Sequence, residues 1–227
     1  MLSWVLDLVF QPQCAACGAL ARTLCGACEA SLEPLGPACP RCAEPTGEHA
    51  VVCRRCAVEP LPLERIVAPW RFGGQLAAAI KRLKFAQRTH VARDLAPLWA
   101  PLVAAAAEDG AIVVPVPHHW KRRLARGFDQ TALLASYACA AASLPRPVHA
   151  LRRVRAAPPQ STLSAAERRD NLRGAFELCR PIPPGPVVLV DDVVTTGATL
   201  AAAAQPLLAA GATTVIGVAL ARAIAAP

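Results

Sequence analysis

The sequence is poor in aromatics, poor in charge and without a long apolar run, and each shortage excludes something. Only 4% of its 227 residues are Phe, Trp or Tyr, with a single Tyr, so base stacking has few side chains to draw on. Charged residues make up 18% against 54% hydrophobic ones, which is not the composition of a disordered chain. No stretch offers the roughly 18 uninterrupted apolar residues of a membrane span. Gln205-Pro206, Thr213-Thr214 and several glycines break up the most apolar region. Met1–Phe10 is apolar but has no Lys or Arg ahead of it and no small-residue cleavage site, so it makes a poor secretory signal. A soluble, cytoplasmic protein without membrane insertion is expected. Gly-x-x-x-x-Gly-Lys and Gly-x-Gly-x-x-Gly are both absent, which disfavours a polyphosphate P-loop and a dinucleotide turn.

What is present is unevenly placed. The net charge is +8, and residues 121–180, with 12 basic and 4 acidic side chains, equal the whole excess. An anionic partner should meet that segment. Eight of the ten cysteines form four Cys-x-x-Cys pairs: Cys14/Cys17, Cys25/Cys28, Cys39/Cys42 and Cys53/Cys56. A two-residue gap turns both thiolates of a knuckle toward one ion, and two knuckles complete the four-sulfur shell that zinc prefers. Eight ligands make two structural zinc sites, with no position left for a reactive water. The gaps suit sequential pairing, and spacing leaves a crossed pairing open. A disulfide framework needs an oxidising compartment, a redox Cys-x-x-Cys rarely comes in fours, and iron–sulfur is the competing metal. Cys139 and Cys179 lie elsewhere and read as ordinary buried residues.

After Cys56 the composition changes. The Pro-flanked stretch Val58–Leu63 reads as a linker, dividing residues 1–60, a small cysteine-rich domain, from residues 61–227. In the larger part, strands are expected at Ile66–Phe72, Ile112–Val116, Val148–Leu151, Val187–Val190 and Thr213–Leu220. Helices are expected at Gln75–Lys84, Val91–Ala107, Gln130–Ala142 and Thr199–Ala210, the last kinked by Pro206. That alternation predicts an α/β fold with a mostly parallel sheet.

The most informative stretch runs from Val187 to Leu200: a buried strand, the acidic pair Asp191-Asp192, and a hydroxyl-rich turn, Thr195-Thr196-Gly197-Ala198-Thr199, opening a helix. In a parallel sheet, ligands bind at the carboxyl ends of strands, where a helix N-terminus offers free N–H groups and a positive dipole end to a phosphate. Two carboxylates nearby would repel that phosphate unless they face another part of the ligand, and vicinal sugar hydroxyls are natural donors to them. A ribose 5-phosphate fits both ends. The bland alternative is a capped helix with an ordinary turn.

At these residues the chain resembles the type I phosphoribosyltransferases, whose signature for 5-phosphoribosyl-1-pyrophosphate (PRPP) is this strand, acidic pair and Thr-Thr-Gly-x-Thr turn. With the cysteine-rich start it resembles the competence protein F (ComF) family. Ile80–Phe85 with its two lysines, Val114-Pro115-Val116-Pro117, Arg126-Gly127-Phe128-Asp129-Gln130, and the stretch from Pro158-Pro159-Gln160 to Phe176 extend the likeness over nearly the whole chain. Asp129 departs from the Asn of the family pattern, which removes that amide's donor. The resemblance implies a phosphoribosyltransferase-like domain behind a double zinc ribbon. It implies Asp191 and Asp192 on the ribose hydroxyls, Thr195, Thr196, Gly197, Ala198 and Thr199 on the 5-phosphate, and magnesium joining with PRPP. It places the pyrophosphate at the loop after Pro117, which carries His118, His119, Lys121, Arg122, Arg123 and Arg126. Cations there would neutralise the leaving group. The basic Arg152–Arg173 segment could close over the site or meet nucleic acid.

Three functions compete on these residues. One is transfer of a phosphoribosyl group from PRPP to an unidentified acceptor. Another is a single-stranded DNA accessory protein for DNA uptake and transformation, its PRPP site regulatory or vestigial. The last is a PRPP-sensing regulator that docks a protein partner of the uptake machinery through the zinc module.

Overall fold

A computed structural model of the chain describes residues 13–21, 24–85, 89–120, 124, 127–155, 172 and 174–224. The cysteine-rich part contributes two one-turn helices, α1 (Gly26–Ala30) and α2 (Arg54–Val58). Each opens directly after a cysteine, Cys25 or Cys53, so the fourth sulfur of each cluster, on Cys28 or Cys56, sits on a helix.

The α/β part contains β1 (Arg65–Val67), β2 (Trp70–Arg71), α3 (Gly74–Phe85), α4 (His90–Leu95), α5 (Ala100–Ala106), β3 (Ile112–Pro115), α6 (Gln130–Ala141), β4 (Leu151–Arg153), β5 (Phe176–Leu178), β6 (Gly185–Val194), α7 (Ala198–Ala209) and β7 (Ala212–Arg222). Among the described residues, five strands form a parallel sheet in the order β1-β7-β6-β3, with β2 also pairing on β7. β4 and β5 form a separate antiparallel pair.

Side chains alternate along the two central strands as strand geometry requires. Val188, Val190, Ile216, Val218 and Leu220 face a core shared with α3 to α6, while Val187, Leu189, Val215 and Ala219 face a core shared with α7. The cysteine-rich part straddles both faces. Cys14, Ala15, Ala16, Leu24, Cys28 and Leu32 join the first core, whereas Leu35 and Ala43 join the second.

Several expected elements are trimmed, each for a local reason. The helix expected over Val91–Ala107 is broken into α4, a 3-10 turn at Ala96–Leu98 and α5, because Pro97 and Pro101 each sit in the first turn of a new element. The strand expected over Ile66–Phe72 splits at Ala68-Pro69, where proline has no N–H to offer β7. Val148 donates its N–H to the Val113 carbonyl at 2.7 Å, but ladder pairing of β4 begins only at Leu151. α7 continues through Pro206, and the Ala210 N–H donates to the Pro206 carbonyl at 3.2 Å. Cys139 is buried as expected; Cys179 is exposed, a correction of the sequence reading.

Candidate functional site

The parallel sheet brings the carboxyl ends of its strands to one edge, and the pocket lies there, with a volume of about 340 Å³. Its walls come from the ends of β2 (Phe72), β3 (Val116, Pro117, His118), β6 (Asp191 to Thr195) and β7 (Ala223), together with Gly197, Thr199 and Leu200 at the start of α7. Lys84 from the last turn of α3 and Arg153 from the end of β4 complete it.

The acidic pair sits at the end of β6 with both carboxylates almost wholly buried. Asp192 turns toward the α3–α6 side, where Lys84 Nζ stands 2.6 Å from Oδ2 and the buried amide of Gln130 donates to the same oxygen. Burial alone would raise its pKa, but the Lys84 ammonium, with His118 behind it, more than offsets that and holds the carboxyl below its usual range. Asp191 has the opposite fate. Burial first, and the charge of Asp192 second, push its pKa well above the ordinary value. Its Oδ1 accepts the Asp192 N–H at 2.8 Å. The two carboxyls are thus held apart in acidity, and the one that ionises more readily is matched by a lysine, which lessens the negative charge of the pair.

The turn after β6 is built by its hydroxyls and its glycine. Gly197 has φ of +80°, and a Cβ there would stand 2.8 Å from Ile66 Cδ1 and 2.9 Å from Leu61 Cδ1, so neither the backbone nor the space admits a side chain. The Thr196 hydroxyl accepts the Ala198 N–H, the first of α7, at 3.3 Å. Thr195, Gly197 and Thr199 line the pocket; Thr196 and Ala198 shape the turn without lining it.

His118 is positioned from below. Asp129 caps α6 by accepting the N–H groups of Thr131 and Ala132, and its other oxygen accepts the His118 N–H at 3.2 Å. The His118 ring Nδ1 stands 3.4 Å from Asp129 Oδ1. Burial works against the Asp129 charge, yet the hydrogen bonds and charge of His118 and the capping N–H groups bring its pKa below normal. The aspartate at this position thus serves the cap and the histidine together, and neither role needs an amide donor. His119 is buried and Trp120 is exposed, both outside the pocket. Lys121, Arg122, Arg123 and Arg126 lie outside the described residues.

Lys84, Gln130, Arg153 and Phe72 were not singled out as site residues by sequence reasoning. Lys84 and Gln130 fall in stretches that resemble the family, and that was the available signal. Arg153 falls in the basic Arg152–Arg173 segment expected to close over the site or meet nucleic acid, and nothing local marked Phe72.

The eight cysteines form two nests, Cys14/Cys17/Cys25/Cys28 and Cys39/Cys42/Cys53/Cys56, in each of which the four Sγ atoms lie within 4.8 Å of one another. The pairing is sequential. Cys17 and Cys25 sulfurs stand 3.7 Å apart and Cys42 and Cys53 sulfurs 3.6 Å, close to the roughly 3.8 Å edge of a tetrahedron with zinc–sulfur bonds of about 2.3 Å. Backbone N–H groups point at the sulfurs: Ala16 and Cys25 donate to Cys14, and Cys53 donates to Cys39. Burial opposes thiolate formation, but these donors bring Cys14 down to about 6 and Cys39 to about 7. Burial and the neighbouring sulfurs push Cys28 up to about 12 and raise Cys56 further. Four thiolates in such a nest need a cation, and the donor set and spacing fit two structural zinc ions.

Comparison with known proteins agrees with both halves. A family model described as "Double zinc ribbon domain" matches residues 5–57. The chain is 38% identical over 174 residues to DNA utilization protein YhgH of Escherichia coli O157:H7, covering 72% of this chain and 74% of that protein. It is 37% identical over 168 residues to the protein of the same name from Salmonella typhi, with the same coverage. It is 31% identical over 160 residues to Competence protein F of Haemophilus influenzae, covering 67% of this chain and 70% of that one.

Proposed function

The chain belongs to the family of competence protein F and DNA utilization protein YhgH, and from that premise we propose that its pocket binds a ribose 5-phosphate ligand of the PRPP class in the service of DNA use. The observation that carries this reading is the charge arrangement of one pocket. An acidic pair, one member of which is matched by Lys84, opens into the same cavity as the turn Thr195–Thr199, His118 and the Arg153 guanidinium.

In this reading the turn and the N-terminus of α7 take the 5-phosphate, and the acidic pair takes the ribose hydroxyls. Magnesium joining with the ligand would supply positive charge at the pyrophosphate. Transfer to an acceptor breaks the C1–O bond as pyrophosphate leaves with the bonding electrons, and the acceptor forms the new bond to C1. The protein's part is to place carboxylates beside the electron-poor ribose and cations beside the departing group, and no nucleophilic side chain is required.

Binding of ribose 5-phosphate, 2-deoxyribose 5-phosphate and inorganic phosphate, compared by calorimetry, tests the division of labour. Ribose 5-phosphate should bind about tenfold tighter than its 2-deoxy analogue, since a missing hydroxyl leaves a buried acceptor unpaired. Equal affinity for all three would remove the acidic pair from sugar recognition.

The names of the relatives favour a second reading, a single-stranded DNA accessory protein with a cytoplasmic protein partner in the uptake machinery. Its physical basis is the basic 121–180 segment. Part of that charge is already committed inside the protein: Arg152 pairs with Glu177 at 2.8 Å, and Arg153 lines the pocket with its guanidinium 5.3 Å from the Phe176 ring.

A further inference from the structure

The second cysteine nest and the phosphate turn share a wall. Leu61 packs against the cluster of Cys39, Cys42 and Cys56, and its Cδ1 is one of the two side-chain atoms that lie within 3 Å of where a Cβ on Gly197 would stand. The other atom, Ile66 Cδ1, belongs to a residue whose backbone N–H donates to the Arg41 carbonyl, inside the knuckle, at 3.0 Å. The turn therefore rests on two side chains held by the second ribbon.

A separate link reaches the opposite wall. Arg222, 1% exposed at the end of β7, donates to the Cys42 carbonyl and pairs with Glu44. Its own carbonyl accepts the Phe72 N–H at 2.7 Å, and the next residue, Ala223, donates its N–H to the Val194 carbonyl at 2.8 Å. Phe72, Val194 and Ala223 all line the pocket. Among the described residues, the first ribbon shows no such reach to the turn. Its clamp is Arg82, which donates to the Cys14 carbonyl at 3.3 Å from α3, on the other face of the sheet.

We infer that Leu61 and Arg222 are positioning residues through which the second cysteine nest, holding zinc, sets the geometry of the phosphate turn and the facing wall. The sign of the effect follows from the packing. Metal in the nest fixes the Cys42 carbonyl and the floor beneath Leu61, which keeps Gly197 in its left-handed conformation and the N–H groups of the turn aligned. Loss of that metal frees the floor, so the turn samples other conformations and anion affinity falls by the fraction of time it is misaligned. The inference rests on the proposed sugar-phosphate reading for its consequence, but the mechanical link itself is independent of any ligand.

Hydrogen exchange on the full zinc-loaded chain separates the two. Cys53→Ser, which empties the second nest, should speed amide exchange over residues 195–200 about tenfold, whereas Cys17→Ser, which empties the first, should leave that segment unchanged. Exchange in α6 serves as the control for global unfolding. Should Cys53→Ser fail to fold, Leu61→Ala with its zinc content verified at wild-type level should show the same local increase, and Leu61→Met should restore protection. In the same proteins Leu61→Ala should weaken PRPP binding about tenfold with zinc content unchanged. Unchanged exchange over 195–200 in both Cys53→Ser and Leu61→Ala overturns the link. Failure of wild-type protein to bind PRPP, with the exchange pattern as expected, overturns the ligand reading and leaves the link standing.

Discussion

Asp191 and Asp192 are chemical twins in sequence and opposites in place. One side chain turns toward Lys84 and Gln130, and the ammonium holds its pKa below the usual range; burial and the charge of its neighbour push the other well above it. This gives a pH signature with a definite sign. Because the folded pKa of Asp191 lies above its unfolded value near 3.8, the native state holds a proton that the unfolded chain releases, and stability falls as pH rises from about 4. Asp191→Asn keeps the acceptor for the Asp192 N–H and escapes that loss. Its Tm should exceed wild type by about 3 °C at pH 7, with the gap closing toward pH 4, while affinity for ribose 5-phosphate falls. Thermal melts across that range check it; a lower Tm at pH 7 would show that Asp191 is ionised in the fold. None of this asymmetry is legible in the dipeptide. The sequence carries the carboxylates and the turn because they are contiguous, but Lys84, Gln130 and Arg153 lie on other elements and meet Asp192 or the pocket only after the chain has folded.

At the scale of elements, local chemistry explains both what was readable and what was not. β6 and α7 were readable because a buried strand, a hydroxyl-rich turn and a glycine follow each other without interruption. The stretch from Val91 to Ala107 read as one helix because its apolar period runs unbroken across Pro97 and Pro101, and the prolines prevailed. The cysteine spacing gave two metal sites and suited sequential pairing, but knuckles 7, 10 and 10 residues apart can also close in a crossed order. The nests resolve this as sequential, and metal counting tests it. Cys14→Ser/Cys25→Ser should retain about one zinc per chain, because both losses fall on one nest. Crossed pairing would empty both.

For the whole molecule, the two ribbons are bolted to opposite faces of one parallel sheet, each by an arginine on a knuckle carbonyl: Arg82 on Cys14 and Arg222 on Cys42. The division expected near residue 60 is thus crossed by side chains of both parts, and Leu61 belongs to two clusters at once. Composition could not show this, because it records where cysteines end and not what they rest on. The pocket lies at the strand ends between Lys84 on one face and the second ribbon's supports on the other, so the account stands on that pocket holding a sugar phosphate. Calorimetry of PRPP with magnesium on wild type and on Asp191→Asn/Asp192→Asn tests this most directly. The account predicts saturable one-to-one binding by wild type, weakened at least a hundredfold in the double variant as two buried ligand contacts are lost, at about 1.4 kcal/mol per tenfold. No heat of binding from folded, zinc-loaded wild type, or equal binding by the double variant, would contradict it.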